Sequence, residues 1–275
     1  MAPTKTVGAA PRHVSRAVPK KPGFFASKGG LLLLIGLGLV YIHTHGKTVW
    51  KNWLLPQLGP FWAPFVAVLV VPDVYFFLVT GLYAILDLVP SVHEWAIQFK
   101  TQPEEPSPDW KKYLQVLWVV LRNTLLVEIP VTLIYAYRAS QNPEELEELP
   151  SVGMSIALMV LFSLSQDVLF FSSHRTLHHP WIFKHFHRQH HSFTAPCALS
   201  AKYCSMFEHL FQNLLSVAGI AFTLGAHPML AGLYVCIATT SAACIHSGYD
   251  LLTVLVRWIC SLLFLSTFIY WFFLF

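Results

Sequence analysis

From Val152 to Phe171 the chain reads VGMSIALMVLFSLSQDVLFF, with one ionisable side chain, Asp167. A bilayer core is crossed by about 20 helical residues, and in hydrocarbon only a helix or a closed barrel satisfies its own backbone. Similar apolar runs occupy 61–89, 114–137 and 251–275. The run 211–245 is divided by GAHP (225–228) into two short stretches, and 31–43 is short for a span. Charged residues make up 12% of the chain, against about 25% in a soluble domain. The expectation is an all-α integral membrane protein. It has about four to six transmembrane or re-entrant helices, with 211–245 forming a hairpin and Pro72 and Asp73 interrupting 61–89.

Charge outside these runs gives an orientation. Residues 1–28 carry Lys5, Arg12, Arg16, Lys20, Lys21 and Lys28 and no acid. The 138–150 loop, RASQNPEELEELP, is acidic, and the 174–202 loop is basic. Four spans between the tail and the 174–202 loop would place both on one side, and their positive bias assigns that side to the cytosol. A basic, acid-poor N-terminal segment also fits an organelle transit peptide. No folded element accompanies those charges, so nucleic-acid binding is not expected. The five cysteines (197, 204, 236, 244 and 260) lie in or beside apolar segments without a CxxC pair, and read as small apolar residues.

The densest chemistry is HRTLHHPWIFKHFHRQHH, residues 174–191, with seven histidines. His174 and His178 are spaced i,i+4; His187 is followed by His190 and His191 at i+3 and i+4. On a helix each set shares one face, which lets two imidazoles grip one ion. The helix from 152 extends to carry His174 and His178, and Pro180 ends it. A second short helix is expected to carry His185 to His191. Trp181, Ile182, Phe183 and Phe186 are interleaved, so the tract is not low-complexity sequence. His185 falls outside the repeated spacing. HRTLH has Arg175 where a zinc protease needs its glutamate, which argues against that chemistry. No Glu-x-x-His repeat of a carboxylate-bridged bundle occurs in the tract. An all-imidazole set this rich exceeds one tetrahedral zinc and suits a pair of irons with open positions for oxygen. Asp73, Glu128 and Asp167 lie inside apolar runs, where ionisable groups are costly. Asp73 and Glu128 are either functional or paired with Arg122 or backbone. Asp167 precedes His174 by two helical turns and is expected to orient that imidazole.

The tract QDVLFFSSHRTLHHPWIFKHFHRQHHSFTAP (166–196), with FEHLFQN (207–213) and HSGYD (246–250), resembles the fatty acid hydroxylase superfamily, most closely its sterol C4-methyl oxidase branch. The resemblance covers roughly 152–250. It implies a multi-pass enzyme of the endoplasmic-reticulum membrane, or alternatively of a plastid or other organelle membrane, with its histidine boxes cytosolic. It also implies two iron ions, electrons from NAD(P)H through cytochrome b5 and its reductase, molecular oxygen, and a lipid substrate. Such an enzyme inserts one oxygen atom into an unactivated C–H bond. By resemblance the ligands are His174, His178 and His179, then His187, His190 and His191, then His246. Glu208 and His209 match a segment that usually lies close to the metal site; Asp250 either serves as an oxygen ligand or faces elsewhere. His13, His43, His45, His93 and His227 are excluded.

The expected organisation is a basic disordered tail (1–28), N-terminal membrane helices (29–151), a hydroxylase-like domain (152–250) and an atypical apolar segment (251–275). The family carries a third box, another H-x2-H-H; here no histidine follows His246. The leading expectation is a sterol oxidase of lipid biosynthesis. Fatty acid or sphingolipid hydroxylation is the alternative within that chemistry. An inactive homologue acting as a membrane scaffold or regulatory subunit is the alternative outside it.

Overall fold

A computed structural model describes residues 39–40 and 42–249. The basic tail, most of the 31–43 run, Asp250 and the 251–275 segment lie outside the described residues. The protein is all-α: no strand occurs among the described residues, and the one β-type pairing is an isolated bridge between Lys100 and Tyr249. Among the described residues, four helices are long and apolar enough to cross a membrane: α1 (Ile42–Leu88), α3 (Trp110–Ser140), α4 (Val152–Leu177) and α6 (Pro228–His246). Between them lie α2 (Pro90–Ala96) and the helical stretch 206–223, called α5.

Glycine and proline divide α1. Gly59 has a φ of 73°, which a side chain disfavours, and Pro60 opens a second limb. Trp50 of the first limb packs with Ala63 and Ala67 of the second. The predicted interruption at Pro72 and Asp73 does not occur. One widened turn, Val66–Val70, precedes Pro72, and the helix continues to Leu88. The same device, Thr124–Glu128, precedes Pro130 in α3. In each case the wider turn makes room for a ring that would clash with a regular one.

Local caps fix the remaining starts. The Asp109 side chain accepts from the Lys112 N–H, that of Ser151 from Met154, and that of Ser205 from Glu208. Gly225, at φ 63°, turns the chain between α5 and α6, as GAHP predicts. Gly232 lets α6 cross α1 closely; a Cβ there would run into the Ala67 carbonyl oxygen.

The core lies in three clusters along the bundle. Trp50, Ala63 and Leu146 fill the end away from the 174–191 tract; Met159, Phe162, Leu230 and Tyr234 fill the middle. Phe76, Val116, Val120 and Tyr249 pack with Cys197, Ala198 and Tyr203 toward the histidine end. Leu78, Leu82, Trp118, Leu125 and Val168 face outward, as lipid contact allows. The basic 174–202 segment departs from a plain surface loop. Its last turn, Ala198–Lys202, is buried at all five residues and inserts into the bundle.

Candidate metal centre

Helix α4 ends at Leu177, with His178 as its C-cap, so His174 and His178 lie one turn apart on its last turn. His179, before Pro180, is extended (φ −60°, ψ 131°), so α4 stops short of Pro180 as expected, and Pro180 opens the next segment. That segment is not a single helix. A widened turn, Phe183–His187, gives way to a short 3-10 turn, His190–Ser192. The break separates the second box. His191 stays with His187, and His190 turns to another partner.

The resulting group is His174, His178, His187 and His191, whose donor atoms all lie within 4.8 Å of one another. Nε2 to Nε2 separations are 3.1 Å for 174–178, 3.3 Å for 178–187 and 3.0 Å for 187–191. Donors at about 2.0–2.1 Å from one tetrahedral ion stand roughly 3.3 Å apart. His190 and His246 form a second pair, Nε2 to Nε2 3.3 Å, with the His190 ring 5.6 Å from that of His187. His179 caps the next segment, is exposed and stands outside the four-imidazole group.

The partners behind the rings set their proton positions. His246 Nδ1 donates to the Ala242 carbonyl at 2.8 Å, which leaves the Nε2 lone pair toward His190. His187 Nδ1 lies 2.8 Å from Glu208 Oε1, both side chains being fully buried. Glu208 is placed there by the Ser205 cap, at the start of α5. The Gln212 amide stands 2.9 Å from His174 Nδ1. Gln212 is a residue the sequence did not single out; one turn beyond Glu208 on α5, it shares that residue's face. Asp167 is buried on α4 two turns before His174.

Desolvation within the cluster holds these rings neutral, although only His187 of the four is buried. Desolvation takes His187 and His191 down to about 4, with neighbouring imidazoles adding to the effect on His191. Desolvation, then His246 and His187, takes His190 to about 2. Burial alone pushes the Glu208 carboxyl up to about 9. Neutral rings offer lone pairs, so the donor set fits a transition ion that favours imidazole.

His209 is not in this group. Its Nε2–H donates to Glu128 Oε1 at 2.6 Å. Glu128 also accepts from Lys202 Nζ at 3.0 Å, and Lys202 reaches Asp73 Oδ1 at 2.8 Å. Asp73 and Glu128 are therefore paired with Lys202 rather than with Arg122, which bonds Asn123 and the Cys204 carbonyl. This cluster lines a cavity of about 100 Å³ that is otherwise mostly apolar. Phe170, on the same cavity wall, stacks on His174 with ring centroids 5.7 Å apart.

Residues 159–271 match the fatty acid hydroxylase family profile. A fatty acid hydroxylase of Mycosarcoma maydis is 33% identical over 180 residues, 63% of this chain and 45% of that one. Human fatty acid hydroxylase domain-containing protein 2 is 28% identical over 208 residues, 74% of this chain and 61% of that one. Chicken (Gallus gallus) methylsterol monooxygenase 1 is 26% identical over 207 residues, 74% of this chain and 68% of that one. The chain thus spans 45% and 61% of the length of the first two relatives. No solved structure matches it. With its histidine tract inside the matched segment and its helices apolar enough to cross a membrane, the chain matches the fatty acid hydroxylase family over residues 159–271 and is similar to proteins of the sterol oxidase branch.

Proposed function

We propose that the chain is a membrane mono-oxygenase that hydroxylates a C–H bond of a lipid, with a sterol as the favoured substrate and an acyl lipid as the runner-up. The observation that carries this reading is the convergence of four imidazole nitrogens beside an apolar cavity within the helix bundle. Sterol is favoured because relatives named methylsterol monooxygenase cover most of the chain; the fatty acid hydroxylase relative supports the runner-up.

His174, His178, His187 and His191 hold one ion, and His190 with His246 supply donors to a second. His179 and Asp250 remain candidate ligands by family pattern. Iron in these positions supplies the electron transfer to dioxygen that an unactivated C–H bond requires. The overall balance is one C–H bond, one O2, two electrons and two protons giving one C–OH and one water. The electrons come from NAD(P)H through cytochrome b5, with the histidine end in the cytosol and the membrane that of the endoplasmic reticulum.

The chain's own groups prepare the site. The Glu208 carboxyl, against Nδ1, fixes the His187 ring so that Nε2 faces the ion. In the structure Gln212 Nε2 faces His174 Nδ1; with the amide turned about, so that Oε1 accepts from Nδ1–H, Gln212 does the same for His174. The bundle core excludes water from the cavity, which protects a reactive oxidant from side reactions.

The test is iron content and turnover in lipid nanodiscs, with reductase, cytochrome b5 and either a 4-methylsterol or a fatty acid. Two irons per chain and sterol oxidation are expected, both lost in His187→Ala. Full activity in that variant would refute the ligand assignment. One iron and no turnover would favour the scaffold reading, to which the meagre His190–His246 pair is the pointer.

A further inference from the structure

The mechanism above leaves unused the costliest group in the bundle. Asp73 lies within α1, Glu128 within α3, and Lys202 enters from the inserted turn Ala198–Lys202. Lys202, Asp73 and Glu128 side chains are 10%, 14% and 7% exposed, and all three line the cavity. Ionisable groups at such depth are retained where they do something specific. Among the described residues, the hydrogen bonds fall on one oxygen of each carboxylate, Asp73 Oδ1 and Glu128 Oε1. No described residue donates a hydrogen bond to Asp73 Oδ2 or Glu128 Oε2. An ionised carboxylate is acceptor-only, so each spare oxygen calls for a donor.

Charge narrows the choice. Two carboxylates and one ammonium sum to −1; a protonated His209 would bring the sum to zero. In neither state is a positive charge left over to receive an anion. Lys202 is further committed to the Phe76 ring, 4.6 Å from its centroid. An acid's carboxylate entering here would be desolvated beside two others.

We infer that the Asp73–Lys202–Glu128–His209 cluster is the polar seat of the substrate cavity: it takes an uncharged, hydrogen-bond-donating hydroxyl on an apolar body and rejects a carboxylate. The inference rests on the proposed oxygenase reading in taking this cavity as the substrate's place. A cavity of this volume accommodates the hydroxyl and the carbons next to it. The remaining apolar body runs between helices toward Phe170, the residue stacked on His174. Anchoring the hydroxyl therefore fixes which carbon reaches the imidazole group. Asp73 and Glu128 act as positioning residues and set specificity; they do not touch the reacting carbon.

The test uses the full chain in lipid nanodiscs, with binding measured above empty nanodiscs. Radiolabelled hexadecan-1-ol, hexadecanoate, hexadecylamine and a 3-hydroxysterol are compared. Saturable binding of an alcohol is expected, with the acid weaker by roughly tenfold or more, the scale of one hydrogen bond to a charged acceptor. Preference for the sterol or for the linear alcohol identifies the source of the hydroxyl. Asp73→Asn keeps the Lys202–Glu128 pair and should narrow the alcohol-to-acid ratio by a similar factor, a change that a purely structural Asp73 would not produce. The wild-type rank order stands as a test even where a variant fails to fold. Acid binding as tight as alcohol, amine binding tighter than alcohol, or an unchanged ratio in folded Asp73→Asn protein would each overturn the inference. Measuring the iron content of the same wild-type preparation separates the two readings. Alcohol preference in a chain that never loads iron upholds this inference and sinks the oxygenase; iron loading without alcohol preference sinks this inference alone.

Discussion

Removing the positive charge of Lys202 should be among the most damaging single changes in the bundle. Lys202→Met keeps the length and apolar stem and deletes the ammonium. In the wild type the ammonium sits 2.8 Å from Asp73 Oδ1 and 3.0 Å from Glu128 Oε1. At an effective dielectric of about 20, each attraction is worth roughly 5–6 kcal/mol. Taking each ion out of water costs several kcal/mol, so the intact cluster nets little. Burial alone would lower the Lys202 pKa; Glu128 and Asp73 more than reverse that, and the net shift is upward. Deleting Lys202 leaves two carboxylates desolvated without a counter-charge, a loss of about 3–5 kcal/mol. Proton uptake by one of them limits the loss to that range. At about 2–4 °C per kcal/mol for a chain of this size, Tm should fall by roughly 6–20 °C. Thermal unfolding in nanodiscs, followed by circular dichroism, measures it. The triple variant Lys202→Met, Asp73→Asn, Glu128→Gln should regain at least half of the loss, because it removes the unpaired charges. A single variant within ~1 kcal/mol of wild type, or a triple variant no better than the single, would show that these charges are not buried together.

Other consequences follow from the same structure. Glu208→Gln should lower metal affinity about 10- to 100-fold while keeping the fold, as expected when the carboxyl group behind a ligand imidazole is lost; competition with a chelator reads it. Metal retention should hold from pH 7 to about 5 and fail toward 4, because His187 and His191 are held down to about 4 rather than 6.5. Between those two pKa values the unfolded chain binds more protons than the metal-free fold. Stability of the metal-free protein should therefore fall as pH drops from 6.5 to 4; a release midpoint near 6.5 would contradict the desolvation of these rings. Gly232→Ala should destabilise by about 1–3 kcal/mol or more, since the new methyl meets the Ala67 carbonyl; an unchanged Tm would place α1 and α6 further apart.

Much of this architecture is local and therefore readable from the chain. The apolar run at 152 predicts α4, and its extension to His174 and His178 holds because nothing breaks the helix before Leu177. The GAHP turn predicts the α5–α6 hairpin, since glycine at positive φ and proline at the first helical position act within a few residues. Proline is where local reading fails. Pro72 and Pro130 look like breaks, yet a widened turn ahead of each absorbs the ring, and packing in the bundle keeps the helix whole.

The sequence by itself determined the class of the molecule: apolar helices, and a histidine tract whose spacing suits a metal. It could not sort those histidines into groups. His190 and His191 are neighbours in sequence and both suit His187, but the 3-10 turn sends His191 to His187 and His190 to His246, 56 residues away. Nor could it find the partners of the buried acids. Arg122 is closest in sequence to Glu128, whereas Lys202, 74 residues from Glu128 and 129 from Asp73, is the one that meets them. The reason is physical. Helix and turn formation are governed by neighbours a few residues apart, and side-chain spacing records them. A buried charge is answered by whichever opposite charge the packing of distant segments brings within about 3 Å, and that choice is made only when the Ala198–Lys202 turn folds into the bundle.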